Sequence, residues 1–485
     1  MLPLLKRKSL AILPIKVLQF GEGNFLRAFI DWMINEMNKR GQFKGAVQMI
    51  QPLERGMGEA INAQDGLYTL VLRGYVNGEV YAQHEVIESV VGCLNPYTEW
   101  SQVVERACLP SVRFIFSNTT EAGIEYKTEE YTPGYCQHTY PAKLTSLMYA
   151  RWQAFNGDTS KGVVFIPCEL IDKNGSTLRK CMLQYATDWR LPEEFSRWLR
   201  GSCHYVNTLV DRIVAGYPRD EASKMCDEFG YQDNLIDCGE VFHFFVLEST
   251  PEVLVELPFE QCGLNAVITA DQTPYRTRKV RFLNGAHTAD VLAAAMSGLT
   301  YVDEMMNDPL FGKMVRQAIY QEIFPTVNLP EAEKKFYADS VVERFLNPFA
   351  HHRLLSISLN SVSKWKVRVL PSLLDYLKLK QALPRVLTFS LAALLRFYRL
   401  TQDANGGASA SLGQVTWPVN DSPEVIGFFA ANCGLPAAEY AKKALTEASF
   451  WGMDLNTIDG MTARVTADLD AIEALEIRGA VEKLF

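Results

Sequence analysis

The chain has 485 residues and a formal net charge of −8, and 48% of its residues are hydrophobic. This length predicts two or three domains, each with a sizeable core. Acidic and basic residues are mixed along the chain and no apolar run approaches the roughly 20 residues of a membrane span, so we expect neither a nucleic-acid partner nor a membrane protein.

The first half of the chain alternates short apolar runs with amphipathic patterns. This alternation predicts a parallel sheet with crossover helices. The predicted strands are 16–20, 46–51, 112–117 and 162–168, and the predicted helices are 24–38, 97–107 and 142–156. Residues 67–91 are predicted to form a β-hairpin that turns at Asn77 and Gly78, because Asn-Gly is a strong turn signal.

Helical periodicity dominates from about Lys279 onward, and strand signals nearly vanish. The predicted helices there are 280–296, 314–323, 353–370 and 385–400. The small polar residues 402–413 predict a surface loop. We therefore predict an α/β Rossmann-like N-terminal domain over residues 1–270 and a mostly α-helical C-terminal domain over residues 271–485.

The ten cysteines are scattered and contain no Cys-x-x-Cys pair. In a chain of this size they indicate reduced core residues and a cytoplasmic protein. His351 and His352 form the only close histidine pair, and adjacent helical positions point about 100° apart, which is unfavourable for a shared metal. We expect no metal site, and a homo-oligomer is compatible with the sequence.

A glycine pair directly follows the first predicted strand. Gly21 would make the tight turn of a dinucleotide-binding loop, Gly23 would let a pyrophosphate approach the backbone, and the next helix would offer free N–H groups to the anion. A lone Gly-x-Gly is more often an ordinary turn, and the third small residue, Ala28, comes late. Its place after the first strand of a βαβ pattern nevertheless favours a cofactor site. The predicted contacts are Phe20, Gly21, Glu22, Gly23, Asn24 and Phe25.

Two more segments are candidate cofactor contacts. Glu54 lies just beyond the second predicted strand and would favour NAD over NADP if it reached the ribose hydroxyls, although a solvated loop glutamate is equally expected there. Ser117, Asn118 and Thr119 follow the third predicted strand. Open α/β sheets bind ligands at this edge. The same polar cluster could instead cap a helix.

The segment from Tyr275 to His287 carries the candidate catalytic groups. On a regular helix, Arg276, His287 and Asn284 would lie about 60°, 80° and 140° from Lys279, all on one side. A lysine desolvated by apolar neighbours and other cations can exchange a proton with a developing alkoxide, and an asparagine can donate a hydrogen bond to it. His287 could orient substrate hydroxyls. A single lysine is more often solvated, so the whole constellation supports this interpretation.

A second polar stripe consists of Ser356, Asn360 and Lys364. Their spacing of four residues predicts one face of a helix. Such a stripe is more often a hydrated surface than a binding site. Asp211, in Val210-Asp-Arg-Ile, is either a proton relay to Lys279 or a residue that holds a helix in place, and the sequence does not distinguish these roles.

Taken together, the motifs resemble those of the mannitol dehydrogenase family, the polyol-specific long-chain dehydrogenases. The resemblance extends over essentially the whole chain. It rests on the glycine loop with Arg27 and Ala28, on Lys279 with Asn284 and His287, and on three shorter runs that begin at Gln64, Tyr140 and Val210.

The resemblance implies a Rossmann domain, a helical domain, NAD(H) as cofactor and metal-independent chemistry. Lys279 would be the general acid/base, Asn284 would belong to an oxyanion pocket, and Lys364 would bind substrate. The segments 19–29, 117–124, 166–172 and 283–287 are most similar to family members that act on a hexuronate or aldonate. A stereoisomeric hexuronate, a neutral polyol, or a non-catalytic NAD-binding sensor remain the alternatives.

This sequence departs from the family pattern at several substrate positions. Leu170 stands where a second oxyanion asparagine is expected. Ser356 and Asn360 replace a polyol-binding arginine and an aspartate. Arg276 replaces an acidic residue. We hypothesise that Arg276 or Lys364 pairs with a substrate carboxylate, since a fixed cation suits that group.

Overall fold

The predicted apolar runs of the N-terminal half form a six-stranded parallel sheet. The computed structural model describes residues 2–8, 13–76, 78–120, 122–403 and 407–485. The chain divides into a first unit, residues 1–73 and 80–272, and a second unit, residues 74–79 and 273–485. Asn77, half of the predicted hairpin turn, lies outside the described residues.

The first unit, together with the ends of β3 and β4 that belong to the second unit, contains these strands: β1 Ile15–Phe20, β2 Ala46–Ile50, β3 Tyr68–Val76, β4 Glu79–Ile87, β5 Val90–Leu94, β6 Phe114–Ser117, β7 Val164–Pro167, β8 His204–Tyr205, β9 Asn207–Asp211, β10 Val214–Gly216, β11 Asp237–Gly239, β12 Phe244–Glu248 and β13 Ala266–Thr269. Its α-helices are α1 Asn24–Leu26, α2 Trp32–Lys39, α3 Gly58–Ala63, α4 Trp100–Ala107, α5 Tyr140–Ala154, α6 Asn174–Asp188, α7 Glu193–Gly201 and α8 Ala222–Phe229. A π-helical segment, Arg27–Asp31, joins α1 to α2.

The strand order of the main sheet is β5-β2-β1-β6-β7-β8. This is the doubly wound dinucleotide-binding order, in which the connections reverse direction between β1 and β6. Alternate residues of β1 face opposite sides, so Val17 packs into one core and Leu18 and Phe20 into the other. The predicted α/β class is confirmed, and the sheet places the residues after β1 and β6 at the edge where such folds bind ligands.

The second unit is mostly helical, as predicted. Its α-helices are α9 Thr273–Lys279, α10 Ala286–Met296, α11 Val302–Asn307, α12 Pro309–Gln317, α13 Glu331–Phe345, α14 Leu354–Ile357, α15 Ser361–Arg368, α16 Leu370–Lys380, α17 Arg385–Phe397, α18 Pro423–Asn432, α19 Ala437–Thr446, α20 Ala448–Trp451 and α21 Met461–Glu482. The π-helical segments Val280–Gly285 and Ala318–Ile323 extend α9 and α12. Among the described residues, no helix is both long and apolar enough to cross a membrane.

Two expectations for the second unit are wrong. The segment predicted as a surface loop contributes strands to a small antiparallel sheet, β14 Thr401–Gln402, β15 Ala408–Leu412 and β16 Val415–Pro418. Ala410 and Leu412 of β15 are buried, so alternate side chains pack inward although the segment is rich in small residues. Residues 404–406 lie outside the described part of the chain.

The predicted helix 353–370 is also interrupted. Asn360 adopts the left-handed conformation with φ 53°, and its N–H donates to the carbonyl of Asn420 at 3.0 Å. Helix α14 therefore ends before Asn360 and α15 begins after it. Ser356 and Lys364 lie on different helices, and the predicted single helical face of Ser356, Asn360 and Lys364 does not exist.

Candidate functional site

The loop after β1 has the geometry that its glycines predict. Gly21 has φ +124°, and a Cβ there would lie 3.0 Å from the carbonyl oxygen of Asn118 and 3.2 Å from Cδ1 of Leu26. Only glycine is accommodated without strain. Gly23 is different, because a Cβ there would meet no described atom within 4 Å. The backbone at Gly23 is therefore open to a ligand.

A buried polar network, not predicted as such from the sequence, lies behind this loop. The Arg27 guanidinium donates to the carbonyl of Leu235 at 2.6 Å and to Oδ1 of Asn24 at 2.6 Å, and it lies 3.9 Å from Oδ2 of Asp237. The Tyr68 hydroxyl donates to the carbonyl of Arg27 at 2.8 Å. The network ties the π-helical segment, and hence the glycine loop, to distant strands.

Two carboxyl groups of this network stay protonated to a much higher pH than an ordinary aspartate. Burial raises the pKa of Asp31 to about 7, against hydrogen bonds from Gln19 and Tyr68 that lower it. Burial likewise raises the pKa of Asp237 to about 7, against the opposing charge of Arg27. The cost of burying these groups is reduced when they are protonated.

Replacing Asp31 with asparagine is expected to flatten the pH dependence of stability. Between about pH 4 and pH 7 the unfolded chain loses this proton while the folded chain keeps it, so the free energy of unfolding falls as pH rises through this window. Urea unfolding of the wild type and Asp31→Asn at pH 5, 6 and 7 measures the slope. Asp220→Asn, at an exposed position, is the control. Equal slopes for all three proteins would contradict the prediction.

The polar residues after β6 are held in place by a residue that sequence reasoning missed. Glu169 is buried and accepts hydrogen bonds from the Ser117 hydroxyl at 3.0 Å and from the backbone N–H and hydroxyl of Thr119, both at 2.9 Å. The Asn118 side chain donates to the carbonyl of Cys168 at 3.0 Å. No helix begins at these residues, so they do not form a helix cap. The signal available in the sequence was that Glu169 directly precedes Leu170, the position where the family pattern has an asparagine.

The loop after β2 contacts the glycine loop through Glu22. Its Oε1 accepts from the backbone N–H of Met57 at 3.2 Å. Glu54 is exposed, and its carbonyl accepts from the side-chain amides of Gln51 at 3.0 Å and Asn95 at 3.2 Å. The backbone around Glu54 is thus fixed while its carboxylate faces solvent.

In the second unit, the predicted catalytic segment contains a π turn. Lys279 ends α9, Asn284 lies within the π-helical segment, and His287 lies in the first turn of α10. The expectation of a regular helix is wrong here. Hydrogen bonds in a π-helix run from residue i to i+5, so Lys279 and Asn284 are one turn apart instead of about 140° apart. Both side chains are partly exposed.

His287 lies in a buried, positively charged environment. Its ring stacks on Phe345 with 4.0 Å between centroids and meets the His352 ring edge-on at 5.5 Å. Nε2 is buried and has no hydrogen-bond partner among the described residues. Burial lowers the pKa of His287 well below its ordinary value, and nearby positive charges lower it further, namely His352, Arg344, Arg368 and Lys364. The imidazole is therefore neutral at neutral pH and presents an unused polar atom.

The other predicted substrate residues lie on several different elements. Lys364 is half-buried and donates from Nζ to the carbonyl of Ile357 at 2.9 Å. Arg276 lies on α9, partly exposed, and Asp211 is buried at the end of β9 in the first unit. The Leu170 side chain is 63% exposed. No group of three or more His, Cys, Asp or Glu side chains in the described part of the chain could hold a metal ion.

Comparison with known sequences identifies the family. The family described as "Mannitol dehydrogenase Rossmann domain" matches residues 15–261, and "Mannitol dehydrogenase C-terminal domain" matches residues 271–473. The chain belongs to the mannitol dehydrogenase family. Altronate oxidoreductase from Enterobacter sp. (strain 638) is 41% identical over 481 residues, 98% of each chain. Altronate oxidoreductase from Escherichia coli O139:H28 is 41% identical over 478 residues, 97% of each chain.

Two solved dehydrogenase structures share the fold. A D-sorbitol dehydrogenase in substrate-free form matches with a TM-score of 0.76 and 20% identity, covering 99% of this chain and 100% of that one. The Pseudomonas fluorescens mannitol 2-dehydrogenase, in a ternary complex with NAD and D-mannitol, matches with a TM-score of 0.66 and 20% identity, covering 99% and 96%. At this identity the likeness establishes the fold alone.

Proposed function

We propose that this protein is a metal-independent, NAD-dependent oxidoreductase that reduces D-tagaturonate to D-altronate in hexuronate catabolism. The reaction is a reversible hydride transfer at a ketone. The observation that carries the proposal is the π-helical segment that puts Lys279 and Asn284 one turn apart, followed along the chain by His287, whose Nε2 has no hydrogen-bond partner among the described residues. The full-length similarity to altronate oxidoreductases supports the hexuronate as substrate.

The first unit fits NAD(H). Gly23 leaves space for a pyrophosphate beside the backbone, and the glycine loop follows the central strand of a doubly wound sheet. Glu22 and the exposed Glu54 place negative charge near the end of β2, which disfavours the extra phosphate of NADP. Ser117, Asn118 and Thr119 would contact the nicotinamide end from the neighbouring strand.

When bound, the reduced cofactor supplies a hydride to the carbonyl carbon of the substrate. As that bond forms, the carbonyl π electrons move to oxygen, and the Lys279 ammonium donates the proton that completes the hydroxyl. Lys279 then regains a proton from solvent, and in the reverse direction it removes the hydroxyl proton. Asn284, one π turn away, would donate a hydrogen bond to the same oxygen and stabilise its developing charge.

The remaining groups of the second unit would orient the substrate. His287 is neutral, so its unpaired Nε2 can accept a hydrogen bond from a substrate hydroxyl or donate one in the other tautomer. Arg276 and Lys364 are the candidate cations for the hexuronate carboxylate, and Asn360 lies just before α15 as a further polar contact. Asp211 is assigned no separate role in this proposal.

A substrate panel tests the proposed function. Purified protein and NADH are mixed with D-tagaturonate, D-fructuronate or D-fructose, and loss of NADH absorbance is followed. We expect the fastest turnover with D-tagaturonate. Preference for D-fructuronate would make the protein a fructuronate reductase, and preference for D-fructose would make it a polyol 2-dehydrogenase. NADH binding without turnover of any compound would indicate a non-catalytic NAD sensor.

The cytoplasm is the proposed location. All ten cysteines are free in the structure, and seven of them are buried. Free, buried thiols suit a reducing compartment. The products and substrates are small molecules, so no macromolecular partner is required for the reaction.

A further inference from the structure

Helix α15 carries two cations on one face near the catalytic segment. Lys364 and Arg368 are four residues apart, so they lie one helical turn from each other. The end of α15 packs closely on the π-helical segment, because a Cβ on Gly285 would lie only 3.1 Å from the backbone oxygen of Arg368. The helix that bears both cations thus directly abuts the segment that bears Asn284.

Arg368 has no partner of opposite charge among the residues that the structure describes. Its side chain is half-buried and makes no hydrogen bond or ion pair within the described part of the chain. Burial lowers its pKa, with no carboxylate to offset the effect. Lys364 is influenced by Asp421, but that carboxylate accepts the Tyr398 hydroxyl at 2.6 Å. Like charges one turn apart destabilise a helix, and a partly desolvated guanidinium favours an anionic partner.

The charge of Arg368 acts on the site already described. Its positive charge lowers the pKa of both His287 and Lys364. A guanidinium offers a fork of N–H donors that matches a carboxylate, whereas an ammonium acts as a point charge. An anion held by Arg368 would therefore be anchored beside His287, with Lys364 as a second cation.

We propose that Arg368 binds the carboxylate of the hexuronate, with Lys364 as its neighbour, and so selects a carboxylate-bearing substrate over a neutral polyol. This inference rests on the proposed function. It adds a residue that the sequence did not single out, and it explains why Ser356 need not be an arginine. Of the two cations that the sequence predicts for this carboxylate, Lys364 keeps its role in this proposal and Arg368 joins it.

The test compares Arg368→Gln, Arg368→Lys and a matched control, Lys366→Gln, which removes one cation from the same helix. Steady-state rates with D-tagaturonate at saturating NADH give KM and kcat, and fluorescence titration gives the Kd of NADH. We expect Arg368→Gln to raise KM about 10- to 100-fold, since a charge-assisted hydrogen bond is lost. Arg368→Lys should lie in between, and Lys366→Gln should leave KM unchanged.

Three outcomes would overturn the inference. They are an unchanged KM in Arg368→Gln, an equal rise of KM in Lys366→Gln, and a parallel rise in the Kd of NADH, which would assign Arg368 to the cofactor. If Arg368→Gln does not fold, the KM of Arg368→Lys decides in its place. Failure of the wild type to reduce D-tagaturonate would instead overturn the proposed function, so the two failures are distinguishable.

Discussion

Replacing Lys279 with alanine is expected to lower kcat for D-tagaturonate reduction by about 10²- to 10⁴-fold. The substitution removes the group that delivers a proton to the developing alkoxide, while Asn284 can donate a hydrogen bond but cannot complete the hydroxyl. The Kd of NADH should stay within about twofold of the wild type, because the glycine loop and the residues after β6 are untouched. Single-turnover loss of NADH absorbance and a fluorescence titration measure the two quantities.

Two further variants separate proton transfer from charge. Lys279→Arg keeps a positive charge but cannot release its proton at accessible pH, so its kcat should fall nearly as far as that of Lys279→Ala. Lys366→Ala, on α15, is the control for removing a lysine from the second unit. A Lys279→Ala variant that keeps more than about one tenth of the wild-type kcat would exclude Lys279 as the general acid/base.

Gly21→Ala and Gly23→Ala are expected to differ in their effect on folding stability, but both are expected to weaken NADH binding. Gly21→Ala forces a Cβ into a left-handed backbone and to 3.0 Å from the carbonyl oxygen of Asn118. We expect a loss of about 1–3 kcal/mol in stability and at least a tenfold rise in the Kd of NADH. Thermal unfolding and fluorescence titration measure these effects.

Gly23→Ala serves as the matched comparison. Gly23 has φ −70°, an ordinary value for any residue, and its added Cβ would meet no described atom. Its melting temperature should therefore match that of the wild type, while the Kd of NADH rises at least tenfold because the methyl group occupies the space expected for the pyrophosphate. Unchanged NADH affinity in Gly23→Ala would show that the pyrophosphate does not approach this loop.

The local patterns of the first unit were predictable because adjacent residues determine them. An apolar strand, a positive-φ glycine and a following helix are encoded within the run from Lys16 to Lys39, and the structure confirms that order. The same holds for the alternation of strands and helices up to Pro167. Periodicity likewise predicted the helical character of the second unit, since buried faces repeat at the helical period.

Tertiary contacts determined the features that hydrophobic periodicity could not predict. Glu169 holds Ser117 from 52 residues away, and Arg27 reaches a carbonyl 208 residues away, so no window of sequence contains both partners. The break at Asn360 follows from its bond to Asn420, and β15 forms because β14 and β16 supply its partners.

The candidate catalytic segment shows both what the sequence could predict and what it could not. The residue types of Lys279, Asn284 and His287 are the basis on which the sequence predicts the proposed chemistry. Their relative placement was not, because a π turn adds a residue to the helical repeat. The role proposed for Arg368 was equally unpredictable, since its lack of a charged partner among the described residues depends on how the helices pack and not on the neighbouring sequence.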